Sequence, residues 1–331
     1  MPGNHFLGGI VVKNWRSVLK KASILFAATL MVGSLAACGK SSSSATKEKT
    51  ITFLPPAMVS PFYKSTIEGA KQEAKAQGYK LDVLAPQKED DYEGLLKIVE
   101  DSLSKSTNAI AICTTDDKTM AAAVKKANRD KVPVVVFNSL SKVKGAKVYS
   151  YVGYDQAKAG ASVAKWMGTK YADRTLNVGI LEGLPGVFTQ NREGGFVTAA
   201  KKYKNINIVS KQSANWDRGK ALDVATNMYQ GNKKINAFYG LSDEMAIGAA
   251  SAAKQAGIKN AITIGIDGNP NTLESIKKGN VTGSVYTNPK LMGKRAVKDA
   301  IKAIKGEKKA NKINEVPTVV VDKSNVNKYI K

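Results

Sequence analysis

Histidine occurs once in the sequence, at His5, inside a segment that reads as a targeting address. The mature chain is therefore expected to have none. Ser-His-Asp and Cys-His nucleophile systems, His-ligated zinc and histidine general bases go with it. Cysteine occurs twice, at Cys38 and Cys113, without a C-x-x-C pair, which removes zinc ribbons and redox dithiols. No Gly-Lys-Ser/Thr in the body completes a phosphate loop, and no G-x-G-x-x-G opens a helix, so nucleotide hydrolysis and dinucleotide binding are disfavoured. Asp267-Gly268-Asn269-Pro270-Asn271 starts like a calcium loop but has Thr272 where glycine is required and Lys278 in place of the bidentate glutamate. It reads as a strand-to-helix loop with one exposed carboxylate, and neither a metal nor a cofactor is expected.

What remains is ordinary globular material: 331 residues, 43% hydrophobic and 24% charged, with 28 glycines against 10 prolines and 7% aromatics. That composition suits an α/β protein of about two domains better than a β-sandwich. Lys13, Arg16, Lys20 and Lys21 precede an apolar run from Ala22 to Ala37, shorter than the ~20 residues of a spanning helix and ending in small residues as a signal peptide does. Leu35-Ala36-Ala37-Cys38 resembles a bacterial lipobox, which implies acylation of Cys38, cleavage before it and an anchor in the lipid bilayer. Gly39 and the serine run after it read as a tether. The formal net charge is +24, and removing the four basic residues of the address leaves +20. The lysines are scattered along helix faces without interleaved aromatics, so no nucleic-acid partner is expected; an anionic cell envelope is the natural neighbour.

The body alternates. Short apolar or β-branched runs at 51–54, 81–84, 109–113, 132–137, 148–152, 176–181, 206–209, 235–239, 262–266, 282–286 and 316–321 are separated by amphipathic segments. Such alternation predicts right-handed βαβ units, and eleven strands exceed one ordinary open sheet, so two similar lobes are expected. Ser60-Pro61 and Asn288-Pro289 read as helix starts, as do Asp217 and Ser242, each just after a strand. Gly78, Gly257 and Gly306 read as stops. These starts lie at the carboxyl ends of strands, where open α/β sheets bind ligands.

Carboxylate pairs at Asp90/Asp91, Asp116/Asp117 and Asp243/Glu244 read as helix-start chemistry, because adjacent helical residues do not face each other. Trp216, on a loop between a strand and the Asp217 cap, reads as a flat wall for an amphipathic ligand. Phe62 and Tyr63 occupy the equivalent edge of the other lobe.

These segments, together with Val152-Gly153-Tyr154-Asp155, Asn191-Arg192-Glu193-Gly194-Gly195-Phe196 and Gly265-Ile266-Asp267-Gly268, fall in the order seen in type I solute-binding proteins of the ribose-like sugar class. From Thr50 to Lys331 the chain resembles that family, which serves ABC importers and sometimes chemoreceptors. The resemblance implies two doubly wound parallel-sheet lobes joined by a three-segment hinge near Tyr154, Thr287 and Val316. It divides the chain into a signal peptide (1–37), a tether (38–49), a first lobe (50–154 with 288–315) and a second lobe (155–287 with 316–331).

It also implies ligand contacts: Phe62, Tyr63 and Trp216 as stacking rings, and Asp267 as a hydroxyl acceptor. Asn138 and Ser139 stand where ribose binders place Asp and Arg; Gln190 replaces an Arg, Ser242 an Asn, Ile266 a Phe and Thr287 a Gln. Both guanidinium forks are thus expected to be gone, and a sugar other than ribose, a polyol or a similar solute is expected. The implied protein is an extracytoplasmic, lipid-anchored monomer that hands its solute to an importer permease. The alternative from another class is an exported carbohydrate-active enzyme using carboxylates.

Overall fold

A computed structural model of the chain describes residues 48–308 and 312–330. The address, Cys38 and nearly all of the tether lie outside them. Among the described residues there are twelve strands and nine α-helices. In chain order they run β1 (Thr50–Leu54), α1 (Pro61–Ala76), β2 (Lys80–Val83), α2 (Tyr92–Ser104), β3 (Ala109–Ile112), α3 (Asp117–Arg129), β4 (Val134–Phe137), β5 (Ser150–Gly153), α4 (Gln156–Lys170), β6 (Leu176–Glu182), α5 (Val187–Ala200), β7 (Ile206–Ser213), α6 (Arg218–Gly231), β8 (Ala237–Gly240), α7 (Asp243–Gln255), β9 (Ile262–Asp267), α8 (Pro270–Lys277), β10 (Gly283–Tyr286), α9 (Pro289–Ile304), β11 (Lys312–Glu315) and β12 (Val319–Asp322).

Two six-stranded sheets result, ordered β11-β5-β4-β3-β1-β2 and β12-β10-β9-β8-β6-β7. The first is parallel throughout. The second is parallel except for β12, which runs antiparallel beside β10. Each sheet is a doubly wound lobe, and three connections link them: β5 to α4, β10 to α9, and β11 to β12. The central strands β3, β4, β8 and β9 are buried along their whole length, as strands covered by helices on both faces must be. The strand order reverses between β1 and β3 in one lobe and between β6 and β8 in the other, and those reversals open crevices at the carboxyl edges.

Local chemistry sets the helix ends. Asp217 accepts the Lys220 N–H at 2.7 Å, and Ser242 accepts that of Met245 at 3.4 Å. Asn288, with a left-handed backbone, caps α9 through Leu291 N–H. Ser60 starts α1 in an extended conformation without a side-chain cap, leaving Pro61 to set the first turn. Helices α1 and α9 pack closely enough that a Cβ on Gly293 would lie 1.8 Å from the Thr66 carbonyl oxygen. Among the described residues no helix is long and apolar enough to cross a membrane.

Candidate functional site

A cavity of about 580 Å³ opens between the carboxyl edges of the two sheets. From the first lobe it takes the start of α1 (Val59 to Tyr63), the β2–α2 loop (Gln87 to Asp90) and Asn138. From the second it takes Leu184, Phe188 and Arg192 of the β6–α5 region, Asn215 to Arg218, Ser242, Glu244 and Asp267. At the rim the lobes touch: Val187 N–H donates to the Thr115 carbonyl at 3.2 Å.

Aromatic rings line both sides. Phe62 and Tyr63 meet edge to face at 5.1 Å and are nearly buried, so each serves core and cavity at once. The Tyr63 hydroxyl lies 3.7 Å from the buried Cys113 sulfur. Burial drives that hydroxyl well above its usual pKa and the thiol up to about 12, so Cys113 is an inert filler. On the other wall Trp216 lies against Gly183, where a Cβ would sit 2.0 Å from the indole ring. Residues Asn138, Asn215 and Trp216 all hold left-handed backbones (φ 61°, 53° and 65°), the kind of strain that collects at binding sites.

Arg192 is the charge at the centre, 3% exposed. Its Nε donates to Gln156 Oε1 at 2.7 Å, and its Nη atoms donate to the Leu241 carbonyl and the Tyr154 hydroxyl, both at 2.6 Å. The Gln156 amide in turn donates to the Asn138 carbonyl at 2.9 Å, which ties the guanidinium to the opposite lobe through the hinge. Asp267 Oδ1 lies 3.6 Å from Nη1, and the Trp216 ring centroid 5.3 Å from the guanidinium carbon. A guanidinium has five N–H donors; hydrogen bonds within the protein engage three of them.

Asp267 is buried, not exposed as the loop chemistry suggested. Burial raises its pKa well above the carboxylate range, with Arg192 pulling the other way. Its loop is pinned by Asp243, which accepts the backbone N–H of Gly268 and Asn269 at 2.9 and 2.7 Å. Burial brings Asp243 up to about 6 against those hydrogen bonds. Glu89, in the β2–α2 loop, is pushed by burial up to about 7, with Arg192 opposing. Among the described residues no cluster of His, Cys, Asp and Glu is arranged to hold a metal.

Of the ten expected contacts, Phe62, Tyr63, Asn138, Trp216, Ser242 and Asp267 line this cavity. The other four do not. Ser139 follows the left-handed turn at Asn138, accepts the Ser141 N–H and borders a neighbouring pocket of about 330 Å³. Ile266 points into the core, because strand residues alternate and its neighbour Asp267 takes the cavity side. Thr287 is buried and donates to the Asp267 carbonyl at 2.8 Å, bracing the loop. Gln190 is exposed on the outer face of α5. Two residues of helix turn the side chain by ~200°, so Arg192, unlike Gln190, faces the cavity. The signal was present: Phe188, Arg192 and Phe196 share one face at i, i+4 and i+8, an arginine on an apolar stripe. Tyr154, Gln156 and Glu89 were also missed; nothing in their spacing singles them out.

Two buried polar atoms at the cavity have no protein partner: Asn138 Oδ1, an acceptor on the first lobe, and Trp216 Nε1, a donor on the second. Unsatisfied buried groups cost about 1–3 kcal/mol each.

Comparison with known proteins places the site in context. Residues 51–308 match the periplasmic binding protein domain. The ribose import binding protein of Bacillus subtilis (strain 168) is 35% identical over 269 residues, covering 81% of this chain and 86% of its own. The D-allose-binding periplasmic protein of Escherichia coli K12 is 32% identical over 256 residues, covering 75% and 82%. The crystal structure of an ABC transporter periplasmic solute binding protein from Actinobacillus succinogenes 130z with bound D-allose superposes with a TM-score of 0.80 at 32% identity. It covers 85% of this chain and 100% of that one.

Proposed function

Because this chain belongs to the periplasmic binding protein family, we propose that it captures a sugar or similar polyhydroxylated solute between its lobes and delivers it to an ABC importer permease. The observation that carries this reading is the cavity itself, lined by the rings of Phe62 and Tyr63 on one lobe and of Trp216 on the other, with polar groups of both lobes around it. A ligand that touches both walls makes its full set of contacts only when the lobes face each other. It therefore shifts the population toward closure by its differential affinity for the closed form. The lobes in this reading are residues 50–154 with 288–315 and residues 155–287 with 316–331. Phe62, Tyr63, Asn138, Trp216, Ser242 and Asp267 contact the ligand, and Arg192 lines the same cavity. Ser139 and Thr287 act as braces for the contacting residues.

Proteins of this family bind and deliver their solutes; the carboxylate enzyme considered from the sequence finds no support in it. We further propose that residues 1–37 are removed, that Cys38 carries the lipid, that residues 38–49 tether a monomer to the outer face of the membrane, and that the permease meets it there.

A thermal-shift panel of aldopentoses, aldohexoses, inositols and nucleosides tests the reading. At 1,000 times Kd a true ligand stabilises the folded chain by about 4 kcal/mol. A panel in which nucleosides raise the melting temperature and no sugar or inositol does would overturn it.

A further inference from the structure

Glu89 is a carboxylate of the cavity that the reading above leaves without a role. It sits in the tight turn before α2, where Asp91 N–H donates to the Lys88 carbonyl and Tyr92 N–H to that of Asp90. Asp91 caps the helix by accepting Gly94 N–H. That turn fixes where the Glu89 side chain leaves the backbone, and the side chain lines the cavity. Among the described residues neither a hydrogen bond nor an ion pair engages its carboxylate, although thirteen ion pairs form elsewhere. A carboxylate has about four lone-pair positions, and here no protein group among the described residues fills any of them. The groups that face it are Tyr63 of α1 and Cys113 at the end of β3 on its own lobe, Arg192 of α5 across the cavity, and Lys88 and Asp90 beside it. The Tyr63 hydroxyl is turned to Cys113.

We propose that Glu89 is a ligand-contacting, specificity-determining residue: its carboxylate accepts hydrogen bonds from neighbouring hydroxyls of the bound sugar, matching on the first lobe what Asp267 does on the second. The inference rests on the sugar reading of the cavity. It selects solutes that present adjacent hydroxyls toward the β2–α2 loop, and it disfavours anionic sugars, which would meet Glu89 at close range.

The proposal has a pH signature whose sign is fixed. Burial lifts Glu89 to about 7, and hydroxyls donate to its ionised form. Ligand binding then pulls the proton off, so affinity rises with pH through neutrality; linkage gives about tenfold tighter binding at pH 8 than at pH 6. Asp267 also has a raised pKa, so the slope must be traced to Glu89 by substitution.

Sugars that stabilise the wild-type chain are titrated at pH 6 and pH 8 against Glu89→Gln and Glu89→Ala, with melting temperatures of the free proteins recorded. The expected result is a loss on the order of ten- to a hundredfold at pH 8, as for a hydrogen bond to a charged group, and a flattened pH dependence in both variants. A residue that merely braced the loop would lower affinity and leave the pH slope in place. Wild-type affinity in Glu89→Ala, or a wild-type slope in either variant, overturns the proposal while the sugar reading stands. A wild-type chain that binds no panel sugar at either pH overturns both.

Discussion

Trp216 follows Asn215, and both hold left-handed backbones that non-glycine residues avoid at a cost of about 1–3 kcal/mol each. The indole is held by contact with Gly183 on one side and by the Arg192 guanidinium on another, and its N–H is left without a protein partner. Replacing Trp216 with Ala is expected to weaken sugar binding by about 1–3 kcal/mol, from lost aromatic burial. Titration of a stabilising sugar checks this, and unchanged affinity would remove Trp216 from the site. The sequence made Trp216, Phe62 and Tyr63 legible because they are large rings where strands give way to helices, the edge at which open α/β sheets bind ligands. It made Arg192 partly legible, as a charge on an apolar helical face. Glu89 and Gln156 were not legible, since an acidic loop residue and a glutamine in a first helical turn look like solvated surface until the other lobe is set against them.

At the level of elements, the turn and cap chemistry was readable because it is local: Asp217, Ser242 and Asn288 each bond an N–H three residues on. Strand β11 was not, because Lys312-Ile313-Asn314-Glu315 carries a single apolar residue and is mostly exposed at a sheet edge. Its place is set by pairing with β5, which lies far away in sequence. The final strand also begins later than its apolar run, at Val319, since Val316 is used in the connection between lobes. Helix pairing supplies a sharper test. With the Thr66 carbonyl 1.8 Å from where a Cβ would stand, Gly293→Ala must force α1 and α9 apart. It is expected to cost about 1–3 kcal/mol. Urea unfolding should show a lower midpoint with an unchanged slope; an unaltered midpoint would mean the helices are free to separate.

For the molecule as a whole, alternation of strand and helix was enough to give two α/β lobes, but not which faces meet. The non-local pairings that order each sheet, and the Gln156 bridge from Arg192 to Asn138, exist only once the chain has crossed between lobes. Location belongs to this scale as well. If Cys38 carries the lipid, Cys38→Ser should move the full-length protein from the membrane pellet to the soluble fraction of the cells that express it. Retention in the pellet would point to another anchor.

The contact between Val187 and Thr115 at the rim has a consequence for traffic through the cavity. A backbone hydrogen bond contributes only about 0.5–1.5 kcal/mol net, so this clasp lengthens the shut lifetime by little more than about tenfold. The door is light. How long a solute stays is then governed chiefly by its grip on the interior.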